Sequence, residues 1–132
     1  FLKEVELFSN QQYVYLDFNK SKRNKILIDD IVYLSSDKQN GSESNNKQIH
    51  FINRTSETLV DFSFSRMPEK GFPTNLFVTI HKSFRVNKKY IMHYHTKSDE
   101  VEIKVYDKEK KTKTVKLSVS ENYQTVIKKI MS

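Results

Sequence analysis

The chain has 132 residues and no cysteine, and its 23 Lys and Arg against 16 Asp and Glu give a net charge of +7. This length suits one domain with a single core. The absence of cysteine excludes disulfides, thiol catalysis and Cys-ligated metals and fits a reducing cytoplasm. No apolar run approaches the roughly 18 residues of a membrane span, and the positive charge indicates attraction to nucleic acid or anionic lipid.

The first part of the chain is predicted to form short strands. The apolar residues are mainly Ile, Val, Leu, Phe and Tyr, with no alanine, which favours strands over helices. The first strands are expected over 5–7 and 13–18, with a turn between them. The apolar segment over 25–34 is interrupted by Asp29 and Asp30, so we expect a strand, a tight turn or bulge, and a second strand there.

The middle of the chain contains a polar loop and a predicted hairpin. Residues 35–47 are Ser, Asp, Asn, Gln, Glu and Lys with one Gly, which predicts a long solvated loop of the kind that carries binding residues. A hairpin follows, with strands over 48–52 and 58–64. Both prolines and the second glycine lie within 66–75, so this segment is predicted to be irregular, with a short helical turn.

The last part of the chain predicts further strands and a helix. The strands are expected over 76–80, 90–94, 101–106 and 115–119. The final apolar residues follow the i, i+3, i+4, i+7 spacing of an amphipathic helix, namely Tyr123, Val126, Ile127 and Ile130. Ser120 is predicted as the N-cap of this helix. We therefore predict a mostly β fold of short antiparallel strands and hairpins, with one or two short helices.

Candidate catalytic and metal sites are weak in this sequence. His93 and His95 would share one face of a strand, but no carboxylate follows at a matching interval, so we expect no metal site. Ser83 lies near His81 without a carboxylate in the same stretch or a glycine elbow. Adjacent acidic residues are typical of solvated turns, and no glycine-rich phosphate loop is present. We expect neither an enzyme nor a cofactor.

The stretch from Ile80 to Asn87 places polar and cationic side chains among apolar ones. Three apolar residues are predicted to anchor it in the core: Ile80, Phe84 and Val86. Three polar residues are predicted to project from this base: His81, Lys82 and Ser83. Asn87 is expected to satisfy a turn.

This stretch and the two residues after it carry four cations within a span of eight residues, namely Lys82, Arg85, Lys88 and Lys89. If these side chains share a face, they can neutralise several DNA phosphates, each contributing about −0.9 to the log–log dependence of affinity on salt. The alternative interpretation is a solvated strand face.

A second class of binding function remains open. The basic turn over 107–113, its return strand and the final helix are also typical of the end of a pleckstrin-homology-type module, where basic hairpin loops hold phosphoinositide head groups. Lys110, Lys111 and Lys113 would then bind an anionic membrane. Such a site also needs cations from the first hairpin, and the turn at 9–11 offers none.

Three motifs occur in a specific order. The first is Ile28-Asp-Asp-Ile-Val-Tyr-Leu34, the second is Phe77-x-x-Ile-His-Lys-Ser-Phe-x-Val-Asn87 with Ile91 after it, and the third is Leu117-Ser-Val-Ser-x-x-Tyr123. In type and spacing this order resembles the LytTR DNA-binding domain of bacterial transcriptional response regulators. The resemblance covers roughly residues 25–130.

The resemblance implies an elongated antiparallel fold whose loops insert into successive major grooves of double-stranded DNA. Together with the cation cluster, it predicts these DNA-contacting residues: Asn46, Lys47, His81, Lys82, Ser83, Arg85, Lys88, Ser120, Glu121 and Asn122. Glu121 stands where the family usually has an arginine, and a carboxylate can accept from a cytosine amine but cannot donate to guanine. Over 64–77 the family usually has a regular helix, which Pro68, Gly71 and Pro73 interrupt.

The resemblance also implies the partners of the chain. We expect one domain over 1–132 that acts as the sequence-specific output domain of a cytoplasmic two-component response regulator. Two copies are expected to bind promoter direct repeats about one helical turn apart, as a homodimer on the DNA. A receiver domain that a histidine kinase phosphorylates is expected to precede Phe1, and no membrane partner is expected.

Overall fold

The computed structural model describes residues 12–36, 46–73, 75–106, 109 and 111–131. Within these residues the strands form three antiparallel sheets. The strands are β1 (Tyr13–Leu16), β2 (Asn24–Leu27), β3 (Ile31–Ser36), β4 (Lys47–Phe51), β5 (Glu57–Leu59), β6 (Phe77–His81), β7 (Phe84–Asn87), β8 (His93–His95), β9 (Glu100–Tyr106) and β10 (Thr112–Ser118). The helices are α1 (Met67–Lys70) and α2 (Gln124–Met131), and 3-10 turns occur at Ile28–Asp30, Phe64–Arg66, Lys88–Tyr90 and Glu121–Tyr123. The prediction of a mostly β fold with short helices is confirmed.

The central sheet has five strands in the order β5-β4-β3-β7-β6 and contributes to two separate apolar cores. In the first core, its buried residues pack with those of the β1–β2 sheet and with Met67 of α1. In the second core, they pack with the β10-β9-β8 sheet and with Ile127 of α2. The prediction of a single core was therefore wrong, because apolar residues from both ends of the chain cover the central sheet.

Strand β3 joins the two cores. Its Ile31 and Leu34 belong to the first core, whereas Val32 and Tyr33 belong to the second. The register between β3 and β4 shifts between Ile31 and Tyr33. Such a bulge interrupts the regular alternation of side chains, which explains why two consecutive residues of β3 serve the same core.

Two predicted breaks between strands are confirmed. The Asp29-Asp30 break is a 3-10 turn between β2 and β3. The segment with both prolines contains α1, with Pro68 in its first turn, where a missing N–H costs no hydrogen bond. α1 ends at Gly71, whose φ of 103° is in the left-handed region that favours glycine.

Other predicted elements differ from the structure. Residues 90–94 do not form one strand, since Tyr90 ends a 3-10 turn and β8 begins only at His93. The Tyr90 hydroxyl donates to the carbonyl of Asp29, which holds this turn against the end of β2. Lys47, expected in a solvated loop, is instead the buried first residue of β4.

The C-terminal helix is confirmed, but its start and its buried face were partly wrong. Ser120 precedes a 3-10 turn and makes no side-chain capping hydrogen bond. Ile127 is completely buried, whereas Val126 is 45% exposed. Val126 and Ile127 are consecutive residues of α2 and lie about 100° apart around its axis, so only one of them faces the core.

Some predictions fall on residues outside the described ranges. These are the strand over 5–7, the turn at 9–11, most of the polar loop, from 37 to 45, and part of the basic turn over 107–113, including Lys110. Among the helices of the described residues, none is long and apolar enough to cross a membrane.

Candidate nucleic-acid interface

The β6–β7 turn presents the polar tip of the central stretch. β6 ends at His81 and β7 begins at Phe84, so Lys82 and Ser83 form the turn itself. The Ser83 N–H donates to His81 Nδ1 at 3.1 Å, so a neutral imidazole carries its proton on Nε2. The Ser83 carbonyl accepts from the Ser36 N–H at 2.9 Å, which ties the turn to β3.

The base of the stretch is buried as predicted. Ile80, Val86 and Asn87 have no exposed surface, while Phe84 is half-buried at the edge of the second core. Asn87 Nδ2 donates to the Ile31 carbonyl at 3.0 Å, and its Oδ1 accepts from the Lys89 N–H at 3.1 Å. The predicted division into an apolar anchor and a polar tip is confirmed, and Asn87 does satisfy a turn.

The predicted second segment lies beside this turn. Lys47 pairs with Ser36 in the β3–β4 ladder, and the N–H of Ser36 is bonded to the turn. The Lys47 ammonium lies 5.2 Å from the ring centroid of Phe64 and donates to the Asn46 carbonyl at 3.4 Å. Asn46 Oδ1 accepts from the N–H of Asp61 at 3.4 Å.

The predicted third segment meets the same hairpin. The Ser120 N–H donates to the carbonyl of Ile80 at 2.9 Å, next to His81. Glu121 and Asn122 follow in an exposed 3-10 turn. Main-chain pairing therefore joins all three segments at one end of the central sheet. We call this end the three-loop end: Asn46–Lys47, the His81–Phe84 turn and Ser120–Asn122.

The four cations of the central stretch do not form one cluster. Lys82 is exposed at the tip of the turn, whereas Lys88 and Lys89 begin the 3-10 turn at the other end of β7. Four strand residues separate the two ends by roughly 13 Å. Lys89 forms a 3.6 Å ion pair with Asp29, and Lys88 is exposed.

Contacts within the protein fix the position of the Arg85 side chain. Its Nη1 donates to the carbonyls of His81 at 3.0 Å, Phe84 at 3.1 Å and Lys82 at 3.5 Å. Its guanidinium lies 4.2 Å from the ring centroid of Phe64. Burial lowers the pKa of Arg85 below its usual value, and a Coulombic interaction with Tyr123 opposes this shift.

Phe64 is the residue of this end that the sequence did not reveal. It was predicted as the last residue of a strand, but it begins a 3-10 turn and its ring contacts the cations of both Lys47 and Arg85. These residues lie far apart in the sequence, so no local spacing could have indicated the contact.

The neighbouring strand supplies a carboxylate to the histidine pair. His93 lies opposite Glu102 across the β8–β9 ladder, and His95 Nε2 lies 3.4 Å from the Glu102 carboxylate. This contact forms between strands, so the spacing of residues along the sequence does not indicate it. Even so, no three His, Asp or Glu side chains in the described part of the chain are arranged to hold a metal ion.

Comparison with known proteins agrees with this architecture. A family model described as the LytTr DNA-binding domain matches residues 21–132. Among solved structures, the LytTr DNA-binding domain of a methyl-accepting/DNA response regulator from Bacillus cereus superposes with a TM-score of 0.58 at 15% identity, over 91% of this chain and 96% of that chain. No curated protein matches the chain.

These comparisons bear on both binding functions considered from the sequence. Both matches are to DNA-binding domains, and neither supports a pleckstrin-homology-type module. The family model spans the three motifs of the sequence and all three segments of the three-loop end. The chain belongs to the LytTr DNA-binding domain family.

Proposed function

We propose that this chain is the sequence-specific DNA-binding output domain of a bacterial transcriptional regulator, and that its three-loop end faces the DNA. The observation that carries the proposal is the convergence of Asn46–Lys47, the His81–Phe84 turn and Ser120–Asn122 at one end of the central sheet. The tip of the turn carries an exposed Lys82 beside His81, whose Nε2–H is available as a donor.

The His81–Phe84 turn and the Ser120–Asn122 segment offer distinct chemistry to a groove. Lys82 and His81 can donate to base edges or phosphates, and the Ser83 hydroxyl can do either. The exposed Glu121 carboxylate can accept from a cytosine amine, and Asn122 beside it can donate to an adenine or a phosphate. Lys88, at the other end of β7, suits a flanking phosphate.

The finer features of the proposal come from the family. We propose that the loops enter successive major grooves and that two copies occupy direct repeats about one helical turn apart. The Bacillus cereus relative is a domain of a response regulator, which supports an upstream receiver domain and control by a histidine kinase. A response regulator of this kind acts in the cytoplasm.

The test is selection from a randomised DNA library at moderate salt with competitor DNA present. The expected result is one enriched sequence, present as two repeats spaced by about 10–10.5 base pairs. The Lys82→Ala variant serves as the control and should enrich that sequence less strongly. Equal retention of all sequences by the unaltered chain would refute sequence-specific binding, whatever its overall affinity.

A further inference from the structure

Arg85 bridges the two sides of the turn that presents Lys82. Its two shortest hydrogen bonds run from Nη1 to the carbonyl of His81, the last residue of β6, and to the carbonyl of Phe84, the first residue of β7. One nitrogen with two N–H groups can satisfy both acceptors. These are charge-assisted bonds, which are stronger than bonds between neutral groups.

Phe64 fixes the guanidinium in this position. The cation lies 4.2 Å from the ring centroid, within the range of a cation–π contact. Phe64 belongs to the 3-10 turn before α1 and packs against the first core. The same ring also lies 5.2 Å from the Lys47 ammonium, so one aromatic side chain contacts cations beside two segments of the three-loop end.

These contacts leave the guanidinium facing main-chain acceptors and an aromatic ring, in a half-buried position. A phosphate contact by Nη1 would have to replace bonds that already close the turn. The Lys82 side chain, by contrast, is exposed at the tip of the turn. The two cations are therefore placed for different tasks.

We infer that Arg85 is a positioning residue that holds the His81–Phe84 turn in its DNA-reading conformation before DNA arrives, rather than a ligand of a phosphate. This inference rests on the proposed function of the three-loop end. Ordering a turn in advance lowers the conformational cost of binding, so the residue raises affinity without touching DNA.

Salt dependence separates the two roles. Each phosphate contact contributes about −0.9 to the slope of log affinity against log salt. Loss of a positioning residue lowers affinity at every salt concentration and leaves the slope unchanged. Loss of a phosphate ligand makes the slope shallower by about 0.9.

The experiment compares four variants by fluorescence anisotropy on the selected DNA between about 50 and 200 mM salt. Arg85→Ala removes the bridge. Arg85→Lys keeps the charge but lacks the planar guanidinium that fits the ring and the two carbonyls. Phe64→Leu keeps an apolar side chain without the ring, and Lys82→Ala is the matched control for a contact at the tip.

We expect Arg85→Ala and Arg85→Lys to lower affinity by on the order of tenfold with an unchanged slope. Phe64→Leu should lower affinity in the same way, and Lys82→Ala should make the slope shallower if it meets a phosphate. A shallower slope for Arg85→Ala, with Arg85→Lys close to the unaltered chain, would show that Arg85 binds a phosphate and would overturn the inference. Unchanged affinity in both Arg85 variants would also overturn it.

A second measurement uses the free protein. The Ser83 amide donates to His81 inside the bridged turn, so its hydrogen exchange reports whether the turn is ordered. We expect Arg85→Lys and Phe64→Leu to speed this exchange on the order of tenfold while amides of β9 are unaffected. If the unaltered chain shows no selective binding, the proposed function fails, but this exchange still decides whether Arg85 orders the turn. Unchanged exchange would refute the ordering itself.

Discussion

At the scale of single residues, Asn87 connects three elements with one side chain. It is completely buried, and its two hydrogen bonds join β7 to the first residue of β3 and to the turn that follows β7. A buried amide of this kind stabilises a fold because its removal takes a hydrogen bond from each of its two main-chain partners.

Asn87→Ala should therefore lower the free energy of unfolding by about 2–3 kcal/mol. Urea denaturation followed by far-UV circular dichroism measures this change. Asn122→Ala, at an exposed position, is the control and should stay within about 0.5 kcal/mol. Equal stability of the two variants would contradict the structural role of Asn87.

Protonation of the partly buried His50 ring is coupled to folding. Its ring stacks on Tyr33 with centroids 4.0 Å apart, and its Nε2 lies 3.0 Å from the Ser35 hydroxyl. Burial, with a smaller Coulombic effect of Lys113, lowers the pKa of His50 from 6.5 to about 4. The folded protein therefore resists protonation of this ring.

The sign of the pH dependence follows from this shift. Between pH 6.5 and about 4 the unfolded chain binds a proton at His50 that the folded protein does not. The stability is therefore complete above pH 6.5 and is lost as pH falls toward 4, by up to about 3 kcal/mol.

His50→Phe tests this dependence, since phenylalanine keeps a ring against Tyr33 but cannot bind a proton. Urea denaturation at pH 7 and pH 4.5 should show a much smaller loss of stability in His50→Phe than in the unaltered chain. The same loss in both proteins would assign the acid sensitivity to other groups.

At the scale of elements, α2 packs against the second core through one face only. Ile127 is buried in the second core, whereas the preceding Val126 is 45% exposed. The helix follows directly on the exposed 3-10 turn of Glu121–Tyr123, so its docking also determines the position of the third segment of the three-loop end.

Ile127→Ala should cost about 2–5 kcal/mol through lost burial and the cavity that it leaves. Val126→Ala is the matched control and should change stability by no more than about 0.5 kcal/mol. Thermal unfolding of the two variants measures the difference. A comparable loss from Val126→Ala would mean that α2 docks through a different face.

The sequence predicted some of the secondary-structure elements and not others. Period-two alternation correctly predicted β9 and β10, and the acidic break correctly predicted the turn before β3, because these signals are local. The predicted strand over 90–94 was wrong because hydrogen bonds from the Lys89 N–H to Asn87 Oδ1 and from the Tyr90 hydroxyl to the Asp29 carbonyl stabilise a turn there. Such bonds reach across the fold and leave no periodic pattern.

The sequence likewise predicted the candidate site only in part. Motif order indicated three segments, and main-chain pairing places them together at the three-loop end. The roles within it were not predictable, since Arg85 looks like any exposed strand cation until Phe64 and three carbonyls are seen around it. Tertiary contacts, rather than residue types, distinguish it from Lys82.

At the scale of the whole molecule, a net charge of +7 attracts any DNA regardless of sequence. In the proposed function, selectivity comes from the three-loop end, while cations elsewhere add affinity alone. Lys82 and Lys88 are both exposed, but at opposite ends of β7, which makes them a suitable pair for separating the two contributions.

Lys82→Ala should cost about 1–3 kcal/mol on the selected DNA and relax the preference at one base position if Lys82 reads a base. Lys88→Ala should weaken binding to selected and random DNA alike and make the salt slope shallower by about 0.9. Competition binding with both DNAs measures this. An equal effect of the two substitutions on selectivity would contradict the assigned roles.

The structural domain extends beyond the family match. The match begins at residue 21, yet Val14 and Leu16 of β1 lie in the first core. A chain trimmed to the matched residues would therefore lose part of the packing against the central sheet.

The sharing of β3 between the two cores has a consequence for cooperativity. Because β3 contributes buried residues to both cores, neither core can open fully without withdrawing part of the other. The hairpin that presents Lys82 is hydrogen-bonded to that same strand. The molecule should therefore unfold as a single unit, and partial loss of either core should also disorder the hairpin that contacts DNA in the proposed function.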